Sequence, residues 1–209
     1  MDERRIPSLL LHVVFQQVRD LMGDSALAML LRQSGLAEYI DSPPPADESP
    51  AVSVRAYSGL LAGIYDLFGP RGSRPIFLQG GRRGGQHIRK LHPARYTLAG
   101  AALKLLPENK RMGMILEKVE EEGVELYGNP HHLREEEDAF YMEIADCPYC
   151  AEIARRARES GQAVARPVCL IPAAVMQEMV EWGTGNQHPV EEVACIAMGD
   201  PTCLFKIAK

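Results

Sequence analysis

The chain has 209 residues, of which 46% are apolar and 24% charged, with a formal net charge of -5. That length buries a core without covalent staples, and the composition is that of a globular chain rather than a disordered one. An acidic balance supplies no global field toward nucleic acid, so nucleic acid is not an expected partner.

Residues 7–36 read as two helices, PSLLLHVVFQQVRDLMG and DSALAMLLRQSG, with Asp24 placed to cap the second and Gly35 to end it. The apolar run LLLHVVF (9–15) is too short to span a bilayer and has no small-residue cleavage site after it, so no membrane span and a cytoplasmic protein are expected. DSPPPADESP (41–50) resists regular structure and reads as a linker. Apolar residues then recur at helical spacing from Val52 to Phe68, and GPRGSR stops that helix. Residues 75–107 read as helix, break, helix, and a further helix over 109–122 ends at Gly123.

The second half changes character. GVELYGN (123–129) and AFYMEIADC (139–147) have the β-branched and aromatic content of strands, separated by the acidic loop PHHLREEED. VCLIPAAVMQEMVEWGTG reads as a helix closed by Gly183 or Gly185. VEEVACIAMGDPTCLFKIAK reads as two strands joined at 199–202, with Cys203, Phe205 and Ile207 on one face. The expected class is α+β, a small antiparallel sheet with helices packed on one side plus an N-terminal helical segment. Residues 1–40 form that segment, 41–50 the linker and 51–209 the main domain; the amphipathic N-terminal helices suit pairing of two chains, so a homodimer is expected.

Five cysteines in a reducing compartment point to metal binding, catalysis or burial rather than disulfides. A turn at Gly199 brings Cys195 and Cys203 together across neighbouring strands, and two sulfurs are half of a tetrahedral site. Glu192 precedes Cys195 by three positions, Cys169 heads a helix, and CPYC (Cys147, Cys150) ends a strand.

The pattern Cys169-x22-Glu192-x2-Cys195-x7-Cys203, with the tail VEEVACIAMGDPTCLFKI, resembles the four-vinyl-reductase (V4R) domain family over roughly residues 52–209. The resemblance implies a fold akin to TRAPP vesicle-tethering subunits and a zinc ion on Cys169, Glu192, Cys195 and Cys203, with Glu191 as the neighbouring choice of carboxylate. Cys147 and Cys150 with Cys195 and Cys203 form the competing quartet, and an iron–sulfur cluster is a third arrangement. The implied function is a zinc-containing module for a hydrophobic small molecule, whether aromatic, hydrocarbon or fatty, or tetrapyrrole, with the zinc structural. The alternative is a vinyl reductase or substrate-presenting accessory protein of tetrapyrrole (bacteriochlorophyll) metabolism. No Gly-x-Ser-x-Gly elbow, His-Glu-x-x-His helix or dinucleotide fingerprint accompanies it, so no catalytic residue is assigned.

The remaining candidates have ordinary readings. GGRRGGQHIRK (80–90) lies in a stretch with seven basic residues between Arg71 and Arg95, which offers an anion a positive face but reads more simply as a solvated helix. His131 and His132 read as surface residues, His188 as a minor substitute for Glu192, and His87 and His92 as flanking a helix break. Trp182 and the methionines Met112, Met114, Met176, Met179 and Met198 suit either an apolar pocket or a core.

Overall fold

The structure is a computed structural model that describes residues 4–209. Two helices, α1 (Ser8–Met22) and α2 (Asp24–Gln33), follow the short strand β1 (Arg5–Ile6), which pairs with β2 (Val52–Ser53). Residues 41–50 run back along the start of α1: the Ser8 and Leu9 amides donate to the carbonyls of Ser49 and Asp47 at 3.1 and 3.0 Å. The proline-rich segment thus satisfies free N–H groups at a helix N-terminus.

Helix α3 (Val54–Leu91) turns sharply at Gly69, whose φ of 67° is left-handed, and resumes at Pro70. GPRGSR is therefore a kink rather than a stop, because Pro70 sits where a new first turn has no N–H to lose. Helices α4 (Pro93–Leu103) and α5 (Glu108–Tyr127) follow. The expected strand GVELYGN is instead the end of α5, which closes at Gly128 with φ 72°. Gly123 does not end the helix. A Cβ there would stand 2.6 Å from His131 Nε2, so the missing side chain makes room for that ring.

Strand β3 (His131–Glu135) lies in the segment expected as an acidic loop; β4 (Ala139–Ile144), β5 (Val190–Ala194) and β6 (Cys203–Ala208) complete an antiparallel sheet in the order β3-β4-β6-β5. Phe140 pairs with Ile207, Met142 with Phe205 and Ile144 with Cys203. These six side chains are buried on one face, packed with Met112, Leu116, Met176 and Val180 of the helices. The fold class is α+β. Helix α6 (Ala151–Ser160) departs from CPYC without forewarning in the expected elements, and α7 (Leu170–Thr184) closes at Gly185.

The apolar faces of α1 and α2 are spent inside the chain. Leu11, Val14, Phe15, Leu27 and Leu30 share a core with Tyr57, Leu61 and Ile64 of α3 and Ile171 of α7, leaving Leu21, Met22 and Met29 exposed. No helix among the described residues is long and apolar enough to cross a membrane.

Helices α3 and α7 meet closely at Gly81, where a Cβ would lie 2.7 Å from the Ala174 Cβ and against the Ile171 carbonyl. Gly81→Ala should lower the urea-unfolding free energy by about 1–3 kcal/mol through overpacking. Gly59→Ala, on the same helix with nothing within 4 Å of the new methyl, should be neutral or raise it by up to about 1 kcal/mol. The reverse order would contradict this packing.

Candidate ligand cavity and cysteine cluster

Four segments deliver six donor groups to one place. β4 ends at Ile144, and Asp146 (φ 48°) turns the chain into the CPYC segment, where the Ala151 amide donates to the Cys147 carbonyl as α6 begins. Ser58 of α3 donates to the Pro148 carbonyl and pins that turn. Cys169 caps α7, Cys195 follows β5 and Cys203 opens β6. All five cysteines are buried and none is disulfide-bonded.

The sulfurs touch. Cys147 lies 3.6 Å from Cys169, Cys150 3.4 Å from Cys203, and Cys169 3.7 Å from Cys203. Two quartets close within 4.8 Å: Cys169, Glu192, Cys195 and Cys203, and Cys147, Cys150, Cys169 and Cys203. The arrangement expected as the competitor, Cys147 and Cys150 with Cys195 and Cys203, does not close; Cys169 takes the place of Cys195, because the CPYC turn packs beside the start of α7. Strand alternation brings Glu192, and not Glu191, beside the cysteines. Val190, Glu192 and Ala194 face inward while Glu191 is exposed.

Glu192 Oε2 accepts the Cys169 amide at 2.7 Å, and Glu192 Oε1 is buried with no hydrogen-bond partner. Burial and then the neighbouring Cys195 push the Glu192 carboxyl up to about 9. Hydrogen bonds from Cys150 and Cys169 bring the Cys195 thiol down to about 6, and those led by Cys147 do the same for Cys203. Burial holds Cys147 and Cys169 up, and the Cys147 neighbour holds Cys150 up. Without a cation the six groups cannot ionise together. Four sulfurs about 2.3 Å from a tetrahedral ion stand about 3.8 Å apart, so the observed spacing suits thiolates gathered on one ion.

Beside the cluster lies a cavity of about 100 Å³, bounded by α1, α3, α5, α7 and the inner face of the sheet. Val14, Met142, Ile144, Ile171, Val175 and Met176 make its walls apolar. Its polar groups are Tyr57, Tyr127, Tyr149, His131 and the rim carboxylate Glu122. Tyr149 Oη donates to Tyr127 Oη at 3.0 Å, and the two rings meet edge to face at 5.3 Å. His131 Nδ1 donates to the Asn129 carbonyl at 3.0 Å, which leaves Nε2 as the acceptor. Tyr149 is the third residue of CPYC and Ile171 stands two residues after Cys169. Cluster and cavity therefore share two walls.

The sequence reading missed His131, which it placed on the surface. The signal was the alternation of His131 and Leu133 against exposed His132 and Arg134. His188 is taken up elsewhere, by the Ala208 carbonyl and Glu108 at 3.0 Å each. His92 pairs with Glu48, Trp182 packs edge-on against Tyr96 at 5.2 Å, and Arg83, Arg89 and Arg95 of the basic stretch pair with Asp20, Glu178 and Glu122. Met176 and Met179 line the cavity, Met112 lies in the core, and Met114 and Met198 are exposed.

Residues 124–208, which hold all five cysteines and Glu192, match the family model of methanogen output domain 1. This match does not show the V4R family that the cysteine spacing resembles. No curated protein matches the chain. Among solved structures, the phenol-responsive sensory domain of the transcription activator PoxR, with phenol, is similar at 16% identity and a TM-score of 0.52, over 78% of this chain and 77% of that one. An Fe(II) unliganded H-NOX protein mutant from K. algicida is similar at 12% identity and a TM-score of 0.60, over 97% and 96%. A structure described as probing heme distortion in the H-NOX family is similar at 15% identity and a TM-score of 0.51, over 95% and 90%. At these identities the likeness is one of fold.

Burial lowers the pKa of His131 below its ordinary value of 6.5, so the folded protein favours the neutral ring. The folded pKa lies below the unfolded one, so stability from this residue is complete above 6.5 and declines as pH falls through the folded pKa. His131→Asn should flatten the acid limb of melting temperature against pH. An unchanged slope would place the ring in solvent.

Proposed function

We propose that the protein is a ligand-binding sensory domain whose cavity takes one small apolar molecule, of the size of a single aromatic ring and bearing a hydroxyl, beside a structural zinc. The observation that carries this reading is the wall shared by Tyr149, between its two cysteines, and the cavity. A dry apolar cavity of about 150 Å³ accommodates benzene, and about 100 Å³ is of that order. The Tyr57, Tyr127 and Tyr149 hydroxyls and His131 Nε2 give a ligand hydroxyl partners, and such few polar groups in an apolar pocket set orientation. PoxR, whose sensory domain was solved with phenol, offers a parallel for a one-ring ligand in this fold.

A tetrapyrrole such as heme is larger than the cavity of about 100 Å³ beside the cluster.

Zinc fits the donor set of Cys169, Glu192, Cys195 and Cys203, including the unpartnered Glu192 Oε1. Bound there it would supply a cross-link among α7, β5 and β6, and its binding energy would be folding energy.

Phenol should raise the melting temperature with concentration, as a ligand of the native state must. Gly84 lines the cavity and a Cβ there meets nothing within 4 Å, so Gly84→Leu should fill the space and abolish that rise. Titration with hemin should produce no protein-specific Soret band. Absence of any shift with phenol, toluene or p-cresol would overturn the one-ring reading, and a stoichiometric Soret band would overturn the size argument.

A further inference from the structure

A single ion leaves donors over, whichever quartet it takes. In the site of Cys169, Glu192, Cys195 and Cys203 the spare groups are Cys147 and Cys150; in the four-cysteine site they are Cys195 and Glu192. Cys147, Cys150 and Cys195 are fully buried, and Glu192 is half-buried with its Oε1 out of solvent.

The two quartets have Cys169 and Cys203 in common, 3.7 Å apart. That separation is close to the edge, about 3.8 Å, of a tetrahedron of sulfurs around zinc. A thiolate sulfur bound to one ion keeps lone pairs for a second, so two tetrahedra can share the edge. Each remaining sulfur of the four-cysteine quartet lies near one end of that edge, Cys147 at 3.6 Å from Cys169 and Cys150 at 3.4 Å from Cys203. Cys195 and Glu192 lie in the other quartet, and the set joining Cys147 and Cys150 to Cys195 does not close within 4.8 Å. Cys147 thus stands apart from Cys195, while Cys150 remains within hydrogen-bonding reach of Cys195.

We infer that the cluster is a dinuclear site for two tetrahedral divalent ions of the zinc class, bridged by the Cys169 and Cys203 thiolates. Cys147 and Cys150 complete one ion, and Cys195 and Glu192 the other. The thiol and carboxyl protons leave to solvent as the ions bind, and two divalent charges meet six anionic donors in place of one charge beside two stranded donors. The inference rests on the reading of the cluster as a metal site and extends it from one ion to two. Its structural consequence is that the CPYC turn, and Tyr149 with it, is tied by metal directly to α7 and β6.

The test uses the full chain expressed without a histidine tag, loaded with zinc and dialysed, with metal measured by mass spectrometry against protein from amino-acid analysis. Two zinc ions per chain are expected, falling to one in the Cys147→Ser/Cys150→Ser double variant. Cobalt(II) loading of the unaltered chain provides a readout independent of any variant. A second equivalent should add thiolate-to-cobalt charge-transfer absorbance while the paramagnetic resonance signal falls, because bridging thiolates couple the two spins. Two uncoupled cobalt ions would overturn the bridge. One ion per chain would overturn the dinuclear site and leave a mononuclear one, and no bound ion would overturn both readings.

Discussion

Five buried thiols and a half-buried carboxyl, drawn from four segments of chain, crowd together, and the donors of each quartet lie within 4.8 Å of one another. Such groups cannot all be charged, and thiols make poor hydrogen-bond partners for one another, so as a purely polar arrangement the cluster is costly. A tetrahedral cation changes its sign, converting competing acids into ligands. The segments concerned are a turn after β4, the cap of α7, the end of β5 and the start of β6, so the cluster joins the helix to three neighbouring strands of the sheet.

The cavity follows from that meeting point. Its floor is Met142 and Ile144 of β4, one side is α7 from Ile171 to Met179, and the Tyr149 ring closes it from within the CPYC turn. Tyr57 of α3 and Tyr127 of α5 each meet Tyr149 edge to face, so the turn is held from the helical side as well. The cavity wall is thus built from residues next to Cys147, Cys150 and Cys169, and the two sites draw on the same elements. Coupling of this kind needs no wire, only two packings of one turn.

The chain announced its chemistry more clearly than its shape. Cys195 and Cys203 were legible as a pair because a hairpin turn lies midway between them, and Cys169 because an apolar helix follows it. Glu192 was legible only to within one residue; the inward alternation of β5 that selects it over Glu191 is a property of the sheet. The grouping of Cys147 and Cys150 with Cys169 depends on where α6 departs, a helix whose AEIARRARES sequence carries few apolar positions. Local propensity also misplaced VELY, which α5 absorbs because its stop signal is the left-handed Gly128 and not Gly123. His131 and the tyrosines form a cavity only through contacts between residues far apart in sequence, and no spacing rule reaches them.

The central claim is that the metal cluster holds the walls of the ligand cavity. The direct measurement is the dissociation constant of phenol by calorimetry, on the metal-loaded chain and on the same protein stripped by chelator. If loss of metal lets the CPYC turn and the start of α7 leave their binding-competent positions, affinity should fall by about tenfold or more, in proportion to the fraction displaced. Equal affinity in the two samples, with the stripped chain still folded, would contradict the account.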